Sequence, residues 1–589
     1  MTKILLAAIN AKYIHSNLGV YSLKAYAEKV LREREGLGEE LEIQIGEYTI
    51  NQQTEQILED IYERQPDMVG FSCYIWNISY VRELIQDVHK VLPNTDIWLG
   101  GPEVSYDALR VLKKEPEVCG VMCGEGEEMF ASLAALYASK KERKDREESL
   151  GGILGLTYRK TSGEVVQNPM GACLDMSKLP FSYHDLQEFE NRIVYYESSR
   201  GCPFSCSYCL SSIDKRVRFR DLTLVLQELD FFLEKRVPQV KFVDRTFNCK
   251  KSHAMAIWRH ILEHDNGVTN FHFEISADLL DEEELELLSQ MRAGLVQLEI
   301  GVQSTNPDTI REIHRSMNLE KLKQTVGRIN AFHNIHQHLD LIAGLPYENL
   351  ERFSQSFDEV YAMEPNQLQL GFLKVLKGSF MMENHKAYEL CYQSAPPYEV
   401  FSTRWLSYAD VLHLKGIEDM VEVYYNSRQF EKTIEKMLPL FEGAFAMYAA
   451  LAAFYKKEGL KGLSHSRIAR YELLYRFLCE KTEDERERSC FRDCLMTDLY
   501  LRENAKSRPS FAGRAIREDR REAVRDFFVQ EEKQPKYLKK YAGYDSKQMA
   551  KMAHVECLED GRVLLFDYKT RDVLNYNASC LDITGEIGE

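Results

Sequence analysis

SSRGCPFSCSYCLSS, Ser198 to Ser212, places Cys202, Cys206 and Cys209 within eight residues of an otherwise ordinary chain. Gly201 and Pro203 make the segment an irregular loop rather than a helix or strand. It follows the strand-like run RIVYYESS, and similar runs recur at QVKFVD, FHFEIS, LVQLEIGV, HLDLIAGL and QLQLGFLKV. Helical periodicity follows these runs, for example from Asp281 to Met291 and from Leu319 to Phe332. Six such units predict a partial (β/α)6 barrel, whose chemistry sits at the carboxyl ends of its strands. The three-cysteine loop falls at the end of the first of them.

Three thiols restrict what the loop can hold. A structural zinc site needs four ligands in a closed shell, and no nearby His or Cys supplies the fourth. A cubane iron–sulfur cluster takes one ligand per iron, so three thiolates leave one iron open to another molecule. The chain has 589 residues, 14 of them cysteine. No apolar run is long enough to span a bilayer, and MTKILLAAIN is too short an apolar start for a signal peptide. A cytoplasmic protein is expected, with reduced cysteines that bind metal or catalyse rather than staple. The formal charge of -17 argues against broad binding of nucleic acid or an anionic membrane.

Before the barrel, from Lys3 to about Leu136, short apolar runs (KILLAAI, LEIQIGEY, DMVGFSCY, DIWLGG, GVMCGEGE) alternate with helical patterns such as LGVYSLKAYAEKVLRERE and YVRELIQDVHKVL. Strand–helix alternation of this kind predicts a doubly wound parallel sheet. The chain is therefore read as an α/β domain over residues 1–140, a connector over 141–190, the partial barrel over 191–395 and a mostly helical region over 396–589. Within that last region GRVLLFDYKTRDVLNYN suggests a short hairpin. Cys490 and Cys494, spaced i, i+4 near Cys479, could bind metal or be inert buried thiols.

The pattern C-x3-C-x-aromatic-C, with Tyr208 before the last cysteine, strongly resembles the radical S-adenosylmethionine family. The resemblance implies a [4Fe-4S] cluster on Cys202, Cys206 and Cys209, with the amino acid end of S-adenosylmethionine on the open iron. It implies reductive cleavage of that cofactor to methionine and a 5'-deoxyadenosyl radical, fed by an electron donor such as flavodoxin or ferredoxin. By the same resemblance the cofactor contacts are Tyr208, Asp244 in FVDRTFN, Ser276 in FEISADLL, Glu299 and Gln303 in LEIGVQS, and Ile342 beside Gly344 in LIAGLPYE. Read as plain residues, Asp244 and Glu299 are equally well ordinary polar groups at a barrel mouth.

The first domain resembles the cobalamin-binding fold, which has an S-x-L segment and a later G-G pair at a closely similar separation. Here GFSCY ends one strand and LGG the next, with residues 75–99 between Tyr74 and Gly100. The resemblance implies a slot for the nucleotide tail of cobalamin lined by Ser72, Tyr74, Gly100 and Gly101, with Gly124 and Glu125 of CGEGEEMF beside it. The alternative is a flavodoxin-like domain that binds another nucleotide or nothing. One motif departs from the family. Domains that ligate cobalt from below carry D-x-H-x-x-G, whereas NAKYIHSNLG has Tyr13 two before His15 and Gly19 four after it. His15 could still approach the corrin, or could be a solvent-facing or capping loop residue.

The domain order, with YYNSRQF and the NAKYIHSNLG opening, resembles cobalamin-dependent radical S-adenosylmethionine proteins with an uncharacterised carboxyl-terminal domain. The resemblance implies methylation of an unactivated carbon or phosphorus centre in a small molecule or peptide. Radical ring formation or rearrangement stays open, as does a cofactor-binding protein without turnover. A methylthiotransferase acting on transfer RNA would need a second three-cysteine set and a basic tail, and neither is visible.

Overall fold

The computed structural model describes residues 1–33, 40–139 and 143–587. Residues 34–35, in the first expected helix, and 140–142, at the expected domain boundary, lie outside the described residues. The chain divides into two compact units. One comprises 1–299, 310–318 and 372–404, the other 300–309, 319–371 and 405–589.

The first unit opens with five parallel strands, β1 (Thr2–Asn10), β2 (Leu41–Thr49), β3 (Met68–Ser72), β4 (Asp96–Gly100) and β5 (Val118–Met122), in the order β2-β1-β3-β4-β5. From Ile4 onward β1 is buried at every residue, which is why TKILLAAIN reads as an uninterrupted apolar run. Helices α1 (Leu18–Glu33), α2 (Thr54–Arg64), α3 (Ile78–Val91), α4 (Ala108–Lys114) and α5 (Glu127–Ser139) cover the two faces. Val20, Ala27, Phe130 and Leu133 fill the face under α1 and α5, and Ile57, Ile61, Val81, Leu84, Val88 and Val111 the other. The strand order reverses between β1 and β3, which makes the carboxyl ends of β1, β3, β4 and β5 a ligand-binding crevice.

The expected connector is partly sheet. Leu156–Arg159 (β6) and Val165–Gln167 (β7) add antiparallel to β5, extending the sheet to seven strands. These strands are four and three residues long, too short for their alternation to stand out among the glycines and charges around them.

The barrel begins in the same unit with β8 (Val194–Tyr196), β9 (Gln239–Phe242) and β10 (Asn270–Ile275), and β9 pairs in parallel with both neighbours. Helix α6 (Leu222–Glu234) starts at Asp221, whose carboxylate accepts from Thr223 N and Leu224 N, and α7 (Lys251–Glu263) follows β9. Helix α8 (Glu282–Ser289) is shorter than the expected 281–291 because Asp281 is its cap, closing a capping box with Glu284. Strand β11 (Val296–Gln303) ends in the second unit, which continues through α9 (Leu319–Phe332), β12 (His336–Ala343), α10 (Leu350–Tyr361) and β13 (Gln367–Phe372). The helix expected over 319–332 is found over those residues.

Beyond residue 404 the second unit is mostly helical, with α11 (Tyr408–Val421), α12 (Ala444–Lys457), α13 (Arg467–Lys481) and α14 (Glu485–Arg502). In YYNSRQF, a single π-helical turn carries Asn426, which donates from Nδ2 to Leu368 O and accepts at Oδ1 from Leu368 N, both at 2.9 Å. Its amide thereby completes strand β13 as another strand would. The stretch read as a hairpin, residues 561–577, holds only one strand, β15 (Val563–Arg571), whose antiparallel partners β14 (His554–Cys557) and β16 (Ala578–Asp582) lie on either side of it in a three-stranded sheet. It has its own core of Val524, Phe527, Phe528, Val555, Val563 and Leu565.

Candidate functional site

The three-cysteine loop rises from a buried polar base. Asp244, 1% exposed just past β9, accepts from Ser198 N at 3.0 Å, Ser198 Oγ at 2.7 Å and Ser199 Oγ at 2.5 Å. Burial pushes its carboxyl up to about 6, against those three bonds. His253 Nε2 lies 3.1 Å from the same Ser198 Oγ, and burial lowers that imidazole to about 4, so it is neutral. The hydroxyl proton of Ser198 goes to Asp244, so the imidazole donates. Asp244 therefore fixes where the loop begins.

Ser199–Arg200 then pairs antiparallel with Arg218–Phe219, and Gly201 turns at φ +99°. A Cβ there would lie 2.3 Å from Arg216 O, so only glycine fits. Cys202 and Cys206 are buried and Cys209 half-buried, all three as free thiols. Cys202 Sγ is 3.7 Å from Thr246 Oγ1. Arg315 Nη1 lies 3.9 Å from Cys206 Sγ and donates to Tyr208 Oη at 3.3 Å. Burial raises the Cys206 thiol, while the Arg315 charge works the other way. The loop backbone is sutured at both faces, Ser207 N donating to Ile313 O at 2.9 Å and Met381 N to Ser207 O at 3.1 Å. Three soft donors with a guanidinium beside them fit an anionic iron–sulfur cluster held on three corners. Arg315 and His253 were missed from the sequence: nothing in IREIHRSMN sets Arg315 apart from Arg311.

The other expected S-adenosylmethionine contacts are placed differently from one another. Ser276, just after β10, is held by Asn248 through both its N and its O at 2.9 Å, and its Oγ donates to Asp278 at 2.9 Å. Glu299 lies 3.0 Å from Lys241 Nζ and 3.0 Å from His272 Nε2. Burial alone would raise its carboxyl, but these two partners outweigh it and hold it well below the usual range. Its charge is thus balanced by this chain. Gln303, at φ +73° where β11 ends, has a buried Oε1 with no hydrogen-bond partner among the described residues. Ile342 is half-buried near the end of β12, and Gly344 turns at φ +93°.

At the carboxyl end of the parallel sheet, Asn17 Nδ2 donates to Ser72 Oγ at 3.2 Å, and Asn77 ties Ile9 O to Ser72 O at 3.1 and 2.7 Å. Tyr74 stacks on Trp76 at 4.3 Å with planes 8° apart, and Trp76 stays 40% exposed. The two adjacent glycines differ in role. A Cβ on Gly100 would meet only Met122, at 3.7 Å and beyond, whereas Gly101 sits at φ +107° and its Cβ would lie 2.6 Å from Cys73 O. A Cβ at Gly100 would make ordinary van der Waals contact, whereas Gly101 is demanded by the backbone turn. These groups offer a hydroxyl and a glycine-sided opening, which fit the flat nucleotide tail of cobalamin.

The loop after β5 reaches the cysteine loop. Gly124 turns at φ +91°. Glu125 pairs with Arg218, lies 3.6 Å from Arg200 and accepts from Leu174 N at 2.9 Å. Glu127 accepts from Arg200 Nη2 at 2.9 Å. Two carboxylates at the sheet end thus grip the arginines flanking the thiols. His15 is engaged by the barrel's first strand: its Nδ1 is 2.6 Å from Tyr195 Oη on β8, and its backbone bridges to Ile193. In the second unit, Cys494 on α14 is pushed up to about 12 by burial and the neighbouring Cys490, and is a protonated thiol.

Residues 4–134 match the B12 binding domain family and 196–360 the Radical SAM superfamily, while 386–571 match a family described as a protein of unknown function, DUF4080. The chain thus joins a region of the B12 binding domain family to one of the Radical SAM superfamily. An uncharacterized methyltransferase of Pyrococcus horikoshii is 24% identical over 315 residues, covering 50% of this chain and 66% of the relative. The cobalamin-dependent radical SAM methyltransferase TokK of Streptomyces tokunonensis is 26% identical over 310 residues, covering 49% and 44%. The anaerobic magnesium-protoporphyrin IX monomethyl ester cyclase of Rubrivivax gelatinosus is 22% identical over 314 residues, covering 51% and 55%. The matches thus span from under half to just under two thirds of these relatives' lengths. Among solved structures, the cobalamin-dependent S-adenosylmethionine radical enzyme OxsB, with aqua-cobalamin and S-adenosylmethionine bound, superimposes with a TM-score of 0.59 at 14% identity. The superposition covers 85% of this chain and 83% of OxsB. The radical S-adenosylmethionine methyltransferase TsrM of Kitasatospora setae gives 0.53 at 18% identity, covering 68% and 80%. No single helix among the described residues is long and apolar enough to cross a membrane.

Proposed function

We propose that this protein is an enzyme that uses a [4Fe-4S] cluster, S-adenosylmethionine and cobalamin to methylate an unactivated carbon or phosphorus centre of a small molecule or peptide. The observation that carries the reading is the joining of two sites in one compact unit: Arg200 and Arg218, flanking the thiols, are held by Glu127 and Glu125 at the cobalamin-type sheet end. The cofactors would supply electron transfer, hydrogen abstraction and a methyl carrier. Cys202, Cys206 and Cys209 would hold the cluster, Arg315 would balance its charge, and Ser72 and Gly100 would border the cobalamin tail. Methyltransferases among the relatives support the choice. An electron donor of the flavodoxin or ferredoxin class would be the redox partner.

The cyclase among the relatives keeps radical ring formation as a second reading, and product analysis separates the two. With both cofactors, a reductant and substrate, methyl transfer should give S-adenosylhomocysteine and 5'-deoxyadenosine in about equal amounts, one cofactor molecule serving as methyl donor and another as radical source. A cyclase or mutase yields the second without the first. Methyl-labelled S-adenosylmethionine should deliver its label to the product, and a product without it would overturn the proposal.

A further inference from the structure

On the outer, helical side of the barrel, away from the thiols, three side chains converge on one point. His260 lies in the last turn of α7 and His264 is its C-cap residue, so the i, i+4 spacing puts both imidazoles on one face. Asp230 reaches them from α6. A ring nitrogen of each histidine and a carboxylate oxygen of Asp230 all lie within 4.8 Å of one another. His260 Nε2 is 2.7 Å from Asp230 Oδ1, and the two rings stack at 4.2 Å with planes 29° apart.

The protons are assigned by the partners. His264 Nδ1 is 2.9 Å from His260 O, and a carbonyl only accepts, so Nδ1 carries the hydrogen and the lone pair is on Nε2. This is how a metal-binding imidazole is usually fixed, with its second nitrogen donating to a carbonyl. A carboxylate likewise only accepts, so His260 Nε2 carries a proton that a metal would displace into solvent. His260 is mostly covered, with 13% of its side chain exposed, while Asp230 is 43% exposed and His264 is exposed, so an ion can enter from solvent.

We infer that Asp230, His260 and His264 form a divalent transition-metal site of the zinc class that clasps α6 to α7. Two imidazoles and one carboxylate suit zinc, with water completing a tetrahedron. Ligand atoms about 2.0–2.2 Å from one ion lie roughly 3.3–3.5 Å apart. The present spread therefore closes by small rotations of Asp230 and the exposed His264 ring, without moving the helices. The inference does not rest on the proposed reaction, since the three residues lie on the helix layer and touch none of the groups assigned to cluster or cobalamin.

The test is zinc titration of the full chain loaded with cluster and cobalamin, followed by zinc X-ray absorption. One zinc per chain with a first shell of nitrogen and oxygen is expected. His260→Gln and His264→Gln should each weaken binding at least about tenfold, and Asp230→Asn by a smaller factor. Cluster and cobalamin contents serve as the folding control and should match the parent in all three. A sulfur-containing first shell, or His264→Gln binding zinc like the parent, would overturn the site.

Discussion

At the scale of single residues, the two adjacent glycines at the end of β4 make opposite demands. Gly101→Ala forces a side chain into the left-handed region and against Cys73 O, and should cost about 2–3 kcal/mol. Gly100→Ala meets only Met122 and should cost under about 1 kcal/mol. Thermal melting of the two variants checks this, and equal melting temperatures would refute it. If Gly100 borders the proposed cobalamin tail, a larger residue at 100 should reduce cobalamin uptake with the fold intact. A second residue-scale case is Asp498 on α14, buried and accepting from Lys432 N, Thr433 N and Thr433 Oγ1. Burial pushes its carboxyl up to about 7 from 3.8, only partly offset by those bonds. The folded state thus holds a proton that the unfolded chain has released, and stability falls on this account as pH rises from about 4 to 7. The full penalty, on the order of 4 kcal/mol, is present above 7. Urea unfolding of parent and Asp498→Asn at several pH values should show a shallower fall with pH in the variant.

At the scale of elements, the cysteine loop is held at its base by Asp244 and at its flanks by the acidic loop after β5. Glu127→Gln removes the charge that faces Arg200 and should cost about 2 kcal/mol of local stability. Hydrogen exchange should quicken across residues 198–220 while β1 and β3 remain protected. Uniform exchange in parent and variant would show that the pair does not anchor the loop. Much of this element was legible in the sequence because its demands are local: the cysteine spacing, Gly201 at a turn that only glycine fits, and the apolar run of β1. The resemblance assigns Glu125 and Asp244 to cofactors, and in the fold Glu125 also pairs with Arg218 and Asp244 with two serines. Such pairings join residues more than forty positions apart, and one sequence carries no sign of them. Arg315 and the short strands β6 and β7 escaped for the same reason, since neither periodicity nor spacing marks them.

At the scale of the whole molecule, fourteen cysteines compete for iron, and the structure separates them by environment. Anaerobic reconstitution should give about four irons per chain, and Cys206→Ala should lose most of them. Cys490→Ser with Cys494→Ser should change nothing, because the two thiols lie on a helix without a third sulfur placed beside them in a loop, and burial keeps Cys494 protonated. An iron count that fell with the helical pair would mean a second cluster. The carboxyl-terminal third was legible as helical, yet its β14–β16 sheet was only half foreseen, since antiparallel strands of four or five residues carry too few alternations to register. The seventh strand of the first sheet has a further consequence. A parallel sheet that ended at β5 would present a straight, apolar border of unmatched amide and carbonyl groups to any passing chain. The sheet ends instead on β7, three partly exposed residues, after which the chain departs through Asn168 and Pro169. That blunt margin gives a foreign strand almost nothing to zip onto, so this edge of the sheet works against self-association.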